Sequence, residues 1–406
     1  MKRERLLAVA PDRRGALVAD SLIGALRGAG VEGVTPESIL LEMDPRWGNV
    51  EQLRDFLGTW AKSDLGLPYL HTAELFDIGT VSELADYLAK ELEPPPVPGV
   101  QLPLEELGRS SGWISTGPYS GRRIGGKVAL LLGVPRSGTT LCRSLLGGHR
   151  VIYAPPELHM LPFDDLGQRA EQIAENRRVW MLHGLPQALA WQLKLTLEQA
   201  YLLVESFSAQ RIPIARAYEF LLKGAQSSGG EWLLDKSPSY VTSPDCLRRA
   251  EALFDGPRYV FLTRHPYSVM ESLLRMRFVR LNSKSPTENP WHNAENLWLN
   301  SNRNATEFLA SIPEDRKVHL RYEDLVADPG QSLSKVAGLL DVEDCWPSPF
   351  DDLASEGVLR GLGGPNHDTR RGVDPSLAER WRHSRPPQAL HPQTVDLARQ
   401  LGYDCP

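Results

Sequence analysis

Apolar residues follow two rhythms along this chain. In the first part they recur every three to four positions over 16–26, 50–60 and 81–92, which predicts three helices packed on one another. Further on, short apolar runs at 128–133 (VALLLG), 232–234 (WLL) and 259–263 (YVFLT), together with the stretch 318–322 (VHLRY), predict strands. Longer helical patterns separate these runs, including 186–210 and 213–223, each with a proline at its start. Strands alternating with helices imply a parallel sheet covered by helices on both faces. The expected fold class is therefore α/β, preceded by a small N-terminal helical bundle.

Between the two parts lies EPPPVPGVQLP, residues 93–103, a proline-dense stretch suited to a linker. The expected domains are a helical unit at 1–92, a linker and lead-in at 93–126, and an α/β unit at 127–406. A length of 406 residues accommodates both units. The net charge of −6 gives no global attraction to nucleic acid or anionic membrane, so any anion site must be local. Cys142, Cys246, Cys345 and Cys405 are too scattered for a zinc site or a disulfide framework. No apolar run approaches membrane-spanning length, and LLAVA near the start is too short for a signal-peptide core. The expected setting is cytoplasmic and reducing.

The most informative stretch is 128–146, VALLLGVPRSGTTLCRSLL. A strand feeds a small-residue turn that opens a helix, and such a turn points backbone N–H groups and a helix dipole at a phosphate. The spacing Gly133…Gly138-Thr139-Thr140 is close to the P-loop pattern GxxxxGK[ST], which makes the expected core P-loop-type. Thr139 stands where the P-loop lysine belongs, which argues against phosphoryl transfer from ATP. Arg136 brings positive charge from inside the loop instead. Past the third strand lies a second basic corner, Arg264, with Ser272 eight residues later. If a helix begins near Pro266, Ser272 sits two turns along it and can face the same ligand as Arg264. Arg136, Lys236 and Arg264 each follow a strand, where ligands of parallel sheets bind.

Together these two corners resemble the sulfotransferases that use 3′-phosphoadenosine 5′-phosphosulfate (PAPS). In that resemblance Pro135–Thr140 (PRSGTT) matches the 5′-phosphosulfate loop, with Arg136, Ser137, Gly138, Thr139 and Thr140 as its contacts. Arg264 and Ser272 match the pair that binds the 3′-phosphate, the group that separates this donor from ATP. The continuation LLGGHRVIYAPPELHMLPF is similar to the tyrosylprotein sulfotransferases and, more closely, to the sulfotransferase domains of olefin-forming polyketide synthases.

The resemblance implies further roles. Glu157, in YAPPELH, takes the place of the base that removes the acceptor hydroxyl proton, with His159 as the competing base. Lys236, in LLDKSP, would contact the transferring group and its bridging oxygen, and Arg136 would share that charge stabilisation. Tyr322, in RYEDL, would reach the nucleotide, and Arg370 or Arg371 would meet the 3′-phosphate from a closing loop. The implied products are a sulfated acceptor and 3′-phosphoadenosine 5′-phosphate (PAP), with no metal required. The implied acceptor is a hydroxyl on a natural product or an acyl or polyketide chain, free or tethered to a carrier protein, with 161–228 building its pocket. Neither nucleic acid nor membrane is an expected partner. Two other readings stay open on the residues alone: a P-loop small-molecule kinase using ATP, and a non-catalytic docking module of a megasynthase.

The N-terminal unit carries its own resemblance. LGLPYLHTAELFDIGTVSELADYLAKEL, residues 65–92, is similar to an acyl or peptidyl carrier protein. That family carries its phosphopantetheine arm on a serine in a G-x-D-S motif. Here the corresponding stretch is Leu41-Glu42-Met43-Asp44-Pro45, and Pro45 has no hydroxyl to load. The resemblance thus implies a degenerate carrier with a docking or structural role toward biosynthetic partner proteins.

Overall fold

The protein is seen as a computed structural model that describes residues 6, 8–38, 56, 57, 59–65, 80–91, 121, 123–175, 179–227, 229–275, 289–346, 373–384, 386 and 388–405. The chain divides into two compact units, one within Met1–Pro98 and the other beginning at Gly99. The proline-dense linker, the Leu41–Pro45 stretch, Arg370 and Arg371 lie outside the described residues.

In the first unit, α1 (Pro11–Gly28) packs on α2 (Val81–Glu91). Both helices were expected, and α1 is longer at its N-terminal end because Pro11 opens its first turn. Val18, Leu22 and Leu26 of α1 meet Val81, Leu84 and Leu88 of α2 in a buried seam at the three-to-four spacing of the pattern. Of the helix expected over 50–60, residues 56, 57, 59 and 60 are described, and they are helical.

The second unit is built on five parallel strands: β1 (Lys127–Leu132), β2 (Ile152–Tyr153), β3 (Trp232–Asp235), β4 (Arg258–Thr263) and β5 (Lys317–Arg321). Their order across the sheet is β2-β3-β1-β4-β5, with Ala129 opposite both Leu234 and Arg258. Side chains alternate faces along a strand. Val128, Leu130, Leu132, Tyr259 and Phe261 enter one buried cluster, and Ala129, Leu131, Val260 and Leu262 enter another. Helices cover both faces, which is why these strands read as unbroken apolar runs. None of the described helices is long and apolar enough to cross a membrane.

Two expectations are corrected. The pattern over 186–210 is two helices, Gly184–Leu193 and Leu197–Ala209, not one. Lys194 takes a left-handed conformation, and Thr196 starts the second helix with a capping box closed by Gln199. The last strand ends at Arg321, so Tyr322 opens a short helix, Tyr322–Ala327, rather than closing the strand. The β2 strand was not expected; two residues carry no period to read.

Candidate active site

Because all five strands are parallel, their carboxyl ends lie along one edge of the sheet, and each delivers a candidate. The loop Pro135–Thr140 follows β1, Glu157 lies four residues past β2, and Lys236, Arg264 and Tyr322 directly follow β3, β4 and β5. The sheet order reverses beside β1, and that is where open parallel sheets hold their ligands.

The loop after β1 is shaped by two left-handed residues, Arg136 (φ 73°) and Gly138 (φ 86°). Gly138 caps the helix Thr139–Gly147. A side chain there would overlap the ring of Tyr322, so only glycine lets the tyrosine close against the loop. The Ser137 hydroxyl is buried and has no hydrogen-bond partner among the described residues. An unsatisfied hydroxyl beside a helix start, with cations around it, fits an anionic phosphosulfate.

Arg136 and Arg264 meet across this loop. Arg264 Nη1 donates to the Arg136 carbonyl at 3.0 Å, and Arg136 Nε donates to Ser272 Oγ at 3.1 Å. Ser272 lies on the helix Pro266–Arg275, as the spacing from Arg264 requires. The Arg264 guanidinium stacks 4.2 Å from the centre of the Tyr322 ring. Behind it, Glu323 accepts from the His265 amide at 3.0 Å and from Tyr403 Oη at 3.2 Å. Burial pushes the His265 ring down to about 4, so it stays neutral beside these arginines.

The second group centres on Glu157. It lies in an irregular segment rather than at a helix start, so it is no partner of a helix dipole. Lys236 Nζ forms an ion pair with Oε1, and His159 Nε2 lies 3.1 Å from Oε2. Lys236 also reaches Thr140 Oγ1 at 3.3 Å, joining this group to the β1 loop. Burial alone would raise the Glu157 carboxyl. The Lys236 charge and the hydrogen bond from His159 outweigh it and hold the group well below the usual carboxylate range. Burial pulls Lys236 down, against the opposing charge of Glu157. The Glu157 side chain is 32% exposed, whereas those of His159 and Lys236 are 2% exposed.

Several residues that hold this group were not singled out from the sequence. The buried Asp235 accepts from Ser237 Oγ at 2.9 Å on Oδ1, and from Tyr218 Oη at 2.5 Å and Tyr240 Oη at 2.7 Å on Oδ2. Ser237 Oγ in turn accepts the His159 amide at 3.0 Å, and Tyr240 Oη accepts the Met160 amide at 3.1 Å. The buried guanidinium of Arg169 donates to the carbonyls of Leu158, His159 and Met181. Arg143, buried in the helix after the loop, donates to the Ala154 carbonyl and acts by charge on Glu157 and Lys236. An arginine inside LCRSLL and an aspartate closing WLLD were the visible signals. Asp235 is also an acidic strand end of the kind a kinase uses for magnesium. Three hydroxyls already occupy its oxygens.

Gly184, the first residue of its helix, packs on the Glu157 backbone so closely that a methyl group would overlap the Glu157 carbonyl oxygen. Gly184→Ala is expected to cost about 1–3 kcal/mol of stability, read by urea unfolding, and to lower turnover by displacing Glu157.

Comparison with known proteins bears on this site. Residues 129–348 match the profile of the sulfotransferase family. The sulfotransferase domain from the curacin biosynthetic pathway is 34% identical, with a TM-score of 0.62 over 70% of this chain and 100% of its own. The sulfotransferase domain of the Synechococcus PCC 7002 olefin synthase is 35% identical, with a TM-score of 0.63 over 71% of this chain and 100% of its own. Nodulation protein NoeE of Sinorhizobium fredii is 31% identical over 147 residues, a match spanning 36% of this chain and 30% of that protein.

Proposed function

The chain belongs to the sulfotransferase family, and from that premise we propose that it moves a sulfuryl group from PAPS to a hydroxyl of a natural-product or acyl acceptor. The observation that carries the reading is the delivery of one candidate from each of five strand ends to a single edge, with cations on both sides of the β1 loop. PAPS supplies an electrophilic sulfur and a phosphate leaving group. The bond that forms joins the acceptor oxygen to sulfur, and the bond that breaks joins sulfur to the bridging oxygen, giving PAP.

Glu157 takes the hydroxyl proton. Its exposure supports this over His159, whose ring is buried between Glu157 and Ser239. Lys236 supplies positive charge at the breaking bond. Its ion pair with Glu157 keeps the carboxylate a weak base in the free protein. Drawing the Lys236 charge toward an anion relieves that depression and raises the basicity of Glu157 when a proton has to be removed. The Ser137 hydroxyl, Thr139, Thr140 and the N–H groups of the loop hold the 5′ end. Arg264 and Ser272 hold the 3′-phosphate, and the Arg136–Ser272 hydrogen bond draws Arg136 toward that group as well. Arg370 and Arg371 are assigned to the same phosphate on sequence alone.

The helices between β2 and β3 form the acceptor side, since Gly184 packs directly behind Glu157. The two solved relatives come from a biosynthetic pathway and from an olefin synthase, which favours an acyl or polyketide acceptor, free or carried. The N-terminal unit is proposed as a degenerate carrier that docks a partner protein. The proposed setting is cytoplasmic, without nucleic acid or membrane as partners.

The test is incubation with PAPS and a 3-hydroxyacyl acceptor, supplied both on a carrier protein and free, with ATP and magnesium as the control. Mass spectrometry is expected to show an acceptor heavier by one SO3 with PAPS and no change with ATP. Phosphorylation with ATP, or no modified acceptor in any arm, would contradict the proposal.

A further inference from the structure

The hydrogen-bond chain that reaches Glu157 continues past His159. The His159 Nδ1 atom lies 2.8 Å from Ser239 Oγ, and its Nε2 atom lies 3.1 Å from Glu157 Oε2. An ionised carboxylate has no proton to give, so Nε2 must be the donor in that contact. A neutral imidazole then has Nδ1 as an acceptor, and the Ser239 hydroxyl is placed to donate to it.

We infer that Ser239 is a positioning residue for the transfer proposed above: by donating to Nδ1 it keeps the ring proton on Nε2, aimed at Glu157. The opposite tautomer would set a bare Nε2 lone pair against the carboxylate, and the repulsion would turn Glu157 out of its place beside Lys236.

Both ends of this arrangement are fixed. His159 takes a left-handed backbone (φ 46°), and its amide is tied to Ser237 Oγ, so the ring cannot swing away to relieve a wrong tautomer. Ser239 lies in the short helix Pro238–Thr242, which is closed by the Tyr240 amide on the Ser237 carbonyl at 3.0 Å and by Thr242 Oγ1 on the Ser239 carbonyl at 2.7 Å. The Asp235–Ser237 hydrogen bond thus reaches the histidine through the amide that Ser237 Oγ accepts.

The inference rests on the sulfuryl-transfer reading, and its first test does not depend on that activity. In the full chain labelled with 15N-histidine, the His159 signals are assigned by their loss in His159→Gln. The expected spectrum has Nε2 protonated and Nδ1 bare. Ser239→Ala is expected to move the ring toward a mixture of tautomers, and Ser239→Thr, which keeps the hydroxyl, is expected to preserve it. In the transfer assay Ser239→Ala should lower kcat about tenfold with KM for PAPS held within about twofold, and Ser239→Thr should restore kcat. A wild-type ring protonated on Nδ1 overturns the inference, as does Ser239→Ala with an unchanged ring signal or an unchanged kcat. If no acceptor is sulfated, the ring spectra still decide the tautomer, so the two readings fail separately.

Discussion

Replacing Glu157 with glutamine is expected to lower kcat by about three orders of magnitude while PAP binding stays within about threefold. An amide cannot accept the hydroxyl proton. The substitution also removes the charge that opposes the downward pull of burial on Lys236, so the lysine loses its proton more readily. One change thus removes the proposed base and weakens the cation proposed for the breaking bond. Steady-state kinetics and titration calorimetry read the two effects separately. Stability gives an independent check. The folded-state pKa of Glu157 is depressed, so the ion pair contributes stability above the unfolded carboxylate value and loses it as pH falls toward the folded one. The stability gap between wild type and Glu157→Gln in urea unfolding should therefore be present at neutral pH and narrow in acid. A wild-type rate in Glu157→Gln would remove the base assignment.

Arg264→Ala is expected to weaken PAP binding about a hundredfold and AMP binding much less, because only PAP carries the 3′-phosphate. A charged fork on phosphate accounts for most of the loss. The remainder comes from the Arg136 carbonyl and the Tyr322 ring, which Arg264 holds in the free protein. Arg264→Lys should recover only part of the affinity, since an ammonium stacks poorly and cannot form the two-pronged contact.

Much of this architecture is visible in the chain itself. The strands β1, β3 and β4 show because they are buried on both faces, and the residues just beyond them were already candidates. The break at Lys194 did not show, because apolar residues continue across it and only the Thr196–Gln199 box marks the restart. The support around Glu157 was less legible still. Arg169, Tyr218 and Tyr240 look like ordinary helix and loop residues, and their function appears only when the fold brings them to Asp235 and the 157–160 segment. The direct contact between Arg136 and Ser272 was also invisible, since the two lie far apart in sequence and were assigned to different ends of the nucleotide.

The central claim is that the β1 loop and the Arg264–Ser272 corner grip the two phosphorylated ends of one adenosine nucleotide. Titration calorimetry of the wild-type protein with PAP and with AMP tests it most directly. PAP is expected to bind at least about thirtyfold more tightly, as a buried charge-assisted phosphate contact requires, and the gap should close in Arg264→Ala. Equal affinity for the two nucleotides would contradict the account.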